Sequence, residues 1–217
     1  MVHTRIKICG ITRPEDARAV ADSGADAIGL VFYSRSPRVV DIDRAAEIVA
    51  ALPPFVSSVA LFVDESADRI ERVLRDVPVD MIQFHGEESP GVCRQFGRPW
   101  MKALRVRPGL DIPSLCEQYA EGRAILLDAW KDGVPGGTGM QFDWALAPDT
   151  LGLPVVLAGG INEHNVARAV STVCPCAVDV SGGVESSPGI KDAVKIADFV
   201  AAVRAADQGV KINADDK

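Results

Sequence analysis

Histidine is rare in this sequence, with three residues, and the five cysteines are scattered. Cys174-Pro175-Cys176 is too tight for the usual zinc-ligand spacing, so no metal is expected. An odd number of cysteines without a secretion signal does not suggest a disulfide framework either. Basic residues are outnumbered by acidic ones, 23 against 30, and the formal net charge is -7. A nucleic-acid surface needs the opposite balance. A small anionic ligand remains compatible with it, because a few oriented N–H groups and one or two cations can dominate a pocket. No apolar run approaches the ~20 residues needed to cross a bilayer. The first seven residues lack the apolar core of a signal peptide, so a cytoplasmic protein with no membrane partner is expected. Low-complexity segments and linkers are missing too. Gly10-Ile11-Thr12 is not the GxGxxG of a dinucleotide-binding turn.

What the sequence does contain is a rhythm. Hydrophobic residues make up 47% of the 217, enough for a substantial core. Short β-branched apolar runs end at glycine or a polar residue, and a helix-period stretch follows each. Eight runs are predicted as strands: residues 5–9, 27–32, 57–63, 80–84, 100–104, 124–128, 154–158 and 177–180. Every gap leaves room for a crossover helix. Thr12-Arg13-Pro14-Glu15 fits a capping box, and Gly24 is placed to end the first helix. Ser66 is the expected N-cap of a helix that aligns Ile70, Val73, Leu74 and Val77. The last helix is expected to start near Asp192 and to turn Val194, Ala197, Val200 and Ala201 inward, with a polar tail over 207–217. Near-continuous apolar strands alternating with helices mean a parallel sheet covered by helices. Eight such units favour an α/β fold of the closed (β/α)8 TIM-barrel type, one domain over 1–206, above a doubly wound open sheet.

In such barrels the chemistry sits at the C-terminal ends of the strands. Lys7 and Cys9 alternate with Ile6 and Ile8. Packing the apolar pair on helices turns the polar pair into the barrel. Asp128 closes the sixth run after Ile125-Leu126-Leu127, where a carboxylate is costly unless hydrogen-bonded or functional. Asp179, at the end of the eighth run, competes for the same acid–base role. Gln83 and His85 end the fourth run and join Lys7 as substrate-binding candidates. Gly159-Gly160 and Ser181-Gly182-Gly183 follow the seventh and eighth runs, where barrels commonly bind phosphate on bare backbone amides. Arg38 could hold a carboxylate bidentately, and Arg35 is equally placed on spacing alone. Residues 130–144 carry four glycines and are read as a lid.

Lys7-Ile8-Cys9-Gly10-Ile11-Thr12 resembles the N-terminal signature of the phosphoribosylanthranilate isomerases. The resemblance continues in family order through Ser36-Pro37-Arg38, Gln83-Phe84-His85-Gly86, Leu126-Leu127-Asp128, Gly136-Gly137-Thr138-Gly139, Leu157-Ala158-Gly159-Gly160 and Asp179-Val180-Ser181-Gly182-Gly183-Val184-Glu185. It covers almost the whole chain. It implies an aldose–ketose type isomerase of tryptophan biosynthesis that works without a cofactor on a small phosphosugar. Cys9 would be its general base and Asp128 its general acid. Arg38 would take the anthranilate carboxylate, and the two glycine turns the phosphate. Met140 stands where many members carry a basic residue. A free thiol titrates near pH 8.5, so Lys7 is expected to help Cys9 act as a base. Homo-oligomerisation is left open. The competing readings are another phosphosugar barrel, such as an indoleglycerol-phosphate synthase, a tryptophan synthase α-type lyase or a pentose-phosphate epimerase, and a non-catalytic phosphometabolite-binding module. The first set carries other residues where Cys9 stands beside Gly10, and the last needs neither thiol nor carboxylate.

Overall fold

A computed structural model describes residues 3–129, 143–148 and 151–214, the last five of these by backbone alone. Eight parallel strands close a barrel in chain order: β1 (Arg5–Cys9), β2 (Ala27–Val31), β3 (Ser57–Phe62), β4 (Met81–Phe84), β5 (Trp100–Val106), β6 (Ala124–Ala129), β7 (Val155–Leu157) and β8 (Ala177–Val180). Closure comes from β8 returning to β1, with Lys7 level with Asp179 on one side and with Ala27 on the other. The helices are α1 (Pro14–Asp22), α2 (Ile42–Ala50), α3 (Ala67–Asp76), α4 (Pro90–Cys93), α5 (Ile112–Gln118), α6 (Val166–Val173) and α7 (Ala193–Ala214). Between β6 and β7 the described residues hold only a 3-10 turn, Trp144–Leu146, in place of an α-helix. Its Trp144 ring is buried, with the Arg168 guanidinium of α6 5.0 Å from the ring centre. None of the described helices is long and apolar enough to cross a membrane.

Strand alternation divides the interior. Ile6, Ile8, Leu30, Phe62 and Phe84 point outward into the layer between barrel and helices, where Phe32 and Phe62 stack 5.4 Å apart. Full burial of such a side chain stabilises the fold by roughly 1.5–3 kcal/mol. A smaller cluster around Val59, Met101, Ala103, Leu126 and Val156 fills the barrel itself. Above it lies a third group, Cys9, Val31 and Leu61, next to the strand ends. The barrel is thus plugged below and polar above, which confines chemistry to one mouth.

Several local expectations need correction. The first helix is not capped by Thr12. Arg13 occupies the N-cap position without a side-chain cap, and its guanidinium binds Asp16 instead. The Thr12 hydroxyl donates to the Gly189 carbonyl at 2.5 Å, a partner 177 residues away. Ser66 is the N-cap of α3 but makes no side-chain capping bond. The buried stripe of α7 is Ile196, Phe199, Val200 and Val203; Val194 is 68% exposed, and Ala197 and Ala201 face out as well. The helix is phased by its larger side chains, which gain more from burial than alanine does. Nor does the chain turn into a free tail at 207. The helix α7 continues to Ala214, and Asp207, 8% exposed, accepts from the Thr4 amide at 3.1 Å and the Thr4 hydroxyl at 2.6 Å. A short antiparallel hairpin, β9 (Glu185–Ser187) and β10 (Ile190–Lys191), follows β8.

Candidate active site

The alternation that buries Ile6 and Ile8 turns Lys7 and Cys9 of β1 inward, and Gln83 of β4, Asp128 of β6 and Asp179 of β8 face the same interior. His85 continues the β4 ladder, its amide donating to the Phe62 carbonyl, and so shares the face of Gln83. All six of these side chains belong to residues no more than 8% exposed. Space for the thiol comes from β2. Gly29 lies level with Cys9, and a Cβ there would stand 2.6 Å from Sγ and 3.1 Å from Lys7 Nζ.

Two polar chains line the mouth. In one, Lys7 Nζ lies 2.9 Å from Asp179 Oδ1 and also reaches the Cys9 thiol. In the other, Gln83 Nε2 meets His85 Nδ1 at 2.9 Å, and His85 Nε2 meets Asp128 Oδ2 at 3.1 Å. With the amide donating, Nδ1 is the acceptor and Nε2 carries the hydrogen offered to Asp128. The Ala129 amide donates to Asp128 Oδ1 at 2.8 Å. Gln83 Oε1 is buried without a partner among the described residues. The chains meet electrostatically at Asp179, which feels Asp128 and His85 as well as Lys7.

Burial sets the charges here. It pushes the Asp179 carboxyl above its ordinary value, against the pull of Lys7, and Asp128 adds to the rise. It pulls Lys7 down, yet Asp179 and Cys9 outweigh it and hold the ammonium above its usual range. The Cys9 thiol is likewise pushed up by burial, while Lys7 and Lys191 pull it down. Lys7 thus pulls the thiol down without overcoming desolvation.

Arg38 reaches the mouth from the loop after β2. Its Nε and Nη2 each lie 2.7 Å from the Glu185 carboxylate, so the side edge of the guanidinium is already engaged. Arg35 is exposed, in the same loop.

The glycine turns lie where the sequence puts them. Gly159 follows β7 at φ 81°, and a Cβ on it would fall 2.6 Å from the Ala129 amide nitrogen and 3.1 Å from Asp128 Oδ1. The turn is thus pressed against the carboxylate. Asn165 fixes it, donating to the Gly160 carbonyl and accepting from the Asn162 amide, both at 2.9 Å. After β8, Ser181 precedes a 3-10 turn, Gly182–Val184. The first amides of such a turn have no acceptor within it. Of the expected lid, residues 130–142 lie outside the described residues. Among the described residues no group of three or more His, Cys, Asp and Glu side chains is set to hold a metal ion.

A family model for N-(5'phosphoribosyl)anthranilate (PRA) isomerase matches residues 6–202. The N-(5'-phosphoribosyl)anthranilate isomerase of a Pseudomonas putida strain is 56% identical over 206 residues, 95% of this chain and 100% of that one. This chain belongs to the PRA isomerase family. Among solved structures, the phosphoribosyl anthranilate isomerase of Thermotoga maritima matches with a TM-score of 0.86 at 40% identity, over 93% of this chain and 99% of its own. A phosphoribosyl anthranilate isomerase in complex with reduced 1-(o-carboxyphenylamino)-1-deoxyribulose 5-phosphate matches at 0.82 and 39%, with the same coverage. The PRA isomerase barrel of this chain also uses residues that sequence reasoning passed over. Glu88 and Lys102 form a 2.9 Å ion pair with both side chains 3% exposed. Glu88 takes the Gly86 and Asp64 amides, and Lys102 the Gly86 carbonyl, so the pair pins the turn that follows His85. A lysine inside an apolar strand was the available signal for it. Glu185 and Lys191 are the other omissions.

Proposed function

We propose that this chain converts N-(5-phosphoribosyl)anthranilate into 1-(2-carboxyphenylamino)-1-deoxyribulose 5-phosphate, an Amadori rearrangement in tryptophan biosynthesis. One observation carries the proposal: a thiol from β1 and a carboxyl from β6 face one barrel mouth, and Asp179 of β8 faces it with them. Family membership supports the same substrate, and the relative holding the reduced ketose phosphate supports the product.

Asp128, as the general acid, donates a proton to the furanose ring oxygen. The C1′–O bond breaks and nitrogen's lone pair completes a protonated Schiff base. Cys9 as thiolate removes the C2′ proton, and the electrons of that C–H bond flow through C1′ to the iminium nitrogen. The resulting enolamine tautomerises to the ketone as C1′ takes a proton and the C2′ hydroxyl gives its own up to solvent, so no redox partner or cofactor enters. Lys7 stabilises the thiolate at the moment it forms, where burial alone disfavours it. His85, held by Gln83, keeps Asp128 aimed at the sugar. Gly159, Gly160, Ser181, Gly182 and Gly183 supply backbone to the phosphate at the strand ends where phosphate commonly binds in barrels. Arg38 receives the anthranilate carboxylate.

Freshly prepared phosphoribosylanthranilate, followed by loss of anthranilate-type fluorescence, tests the proposal. Catalytic decay by the purified chain is the expected result. No decay above the spontaneous rate, with the protein folded, would refute it.

A further inference from the structure

Arg38 and Glu185 are 147 residues apart yet share a side-on, two-bond contact. Glu185 is itself held from below. Lys191 Nζ, whose side chain is 0% exposed, lies 2.8 Å from Oε1, and the Gly189 amide donates to the same oxygen at 3.3 Å. Lys191 is fixed in turn: its Nζ donates to the Ser181 carbonyl at 3.1 Å, and its amide to Asp16 Oδ2 at 3.1 Å. The β9–β10 hairpin brings Glu185 and Lys191 together. One buried and one partly buried cation on a buried carboxylate make a triad whose members each lose if a partner leaves. Arg38 releasing Glu185 to bind a ligand would be costly. A guanidinium has a second two-donor edge, however, formed by Nη1 and the other Nη2 hydrogen. Among the described residues nothing takes that edge.

We infer that Glu185, seated on Lys191, is a positioning residue for substrate selection: it keeps the side edge of Arg38 and presents the end-on edge to the aryl carboxylate of the substrate. The inference rests on the reading that Arg38 receives that carboxylate. The Arg38–Glu185 contact persists in the liganded protein, so selectivity for the carboxylated substrate depends on a residue that touches no substrate atom. Burial raises the Glu185 carboxyl, but Arg38 and Lys191 overcome it and keep the group below its ordinary range, as an ionised clamp requires.

Two substrates separate positioning from general structural support: phosphoribosylanthranilate, and the analogous phosphoribosylamine of aniline, which has no carboxylate. The full chain and Glu185→Gln are compared by KM and kcat on both. The expected result is a rise in KM for the anthranilate substrate of roughly 10- to 100-fold, the range set by charge-assisted hydrogen bonds. Its kcat changes less, and the preference over the aniline analogue falls by the same factor as KM rises. Equal losses on both substrates, or an unchanged preference, overturn the inference. Arg38→Ala, run alongside, tests the underlying reading: if it keeps the preference, Arg38 does not receive the carboxylate. If it abolishes the preference while Glu185→Gln keeps it, Arg38 stands and Glu185 fails. Should Glu185→Gln not fold, Glu185→Asp, which keeps the charge but withdraws it by one methylene, is read by the same criteria.

Discussion

A single methyl group placed on β2 should slow this barrel sharply without replacing any ionisable residue. Gly29→Ala would set a Cβ 2.6 Å from Cys9 Sγ, whereas ordinary contact begins at 3.4 Å, so the sulfur must retreat by about 0.8 Å. The same Cβ lies 3.1 Å from Cys9 Cα and 3.1 Å from Lys7 Nζ, so backbone and ammonium are crowded together. Rotating the thiol away relieves only the first contact. Overpacking of this kind costs about 1–3 kcal/mol of stability. Misplacing a reacting atom by about 1 Å costs on the order of 10²-fold in turnover. Urea denaturation should therefore show a modest loss, and the fluorescence assay a loss of about 10²-fold in kcat. The Lys7–Asp179 pair, 2.9 Å long, should loosen as well, so thiol alkylation by maleimide should show an altered pH profile. Wild-type turnover with the expected stability loss would mean that the thiol position is irrelevant to chemistry.

Two further perturbations bear on separate parts of the mouth. Lys7→Met removes the largest influence lowering the Cys9 thiol, so the thiol moves further up. With the thiolate as the proposed base, the limb on which turnover rises with pH should shift to higher pH. An unmoved pH–rate profile for kcat would rule out Lys7 as its support. Lys102→Met leaves Glu88 buried without its cation and should cost about 3–5 kcal/mol, read from chemical denaturation. A loss below about 1 kcal/mol would show that the pair does not hold the turn behind His85.

What could be read in advance followed short-range physics. All eight strands and the closed barrel come from apolar runs and their spacing, within one or two residues at most ends. The inward turn of Lys7 and Cys9 follows from period-two alternation against Ile6 and Ile8. Long-range partnership could not be read. Thr12 looks like a cap because Glu15 is three residues away, but the fold offers its hydroxyl the Gly189 carbonyl instead. Arg38 and Glu185 each resemble an exposed charge on its own until the hairpin after β8 and the loop after β2 meet at the mouth. The hairpin that carries Glu185 had a turn signal in Pro188-Gly189, too close behind the Gly182-Gly183 turn to stand out. The end of α7 was misjudged because polar composition conceals Asp207, whose burial depends on Thr4 at the other end of the chain.

The assignment of base and acid is tested most directly by kcat for Cys9→Ser and Asp128→Asn at saturating phosphoribosylanthranilate. Each positioned acid or base contributes ~10²–10⁴-fold. Both variants should therefore lose at least 100-fold while still binding reduced 1-(o-carboxyphenylamino)-1-deoxyribulose 5-phosphate. Near wild-type kcat from either variant would contradict the assignment.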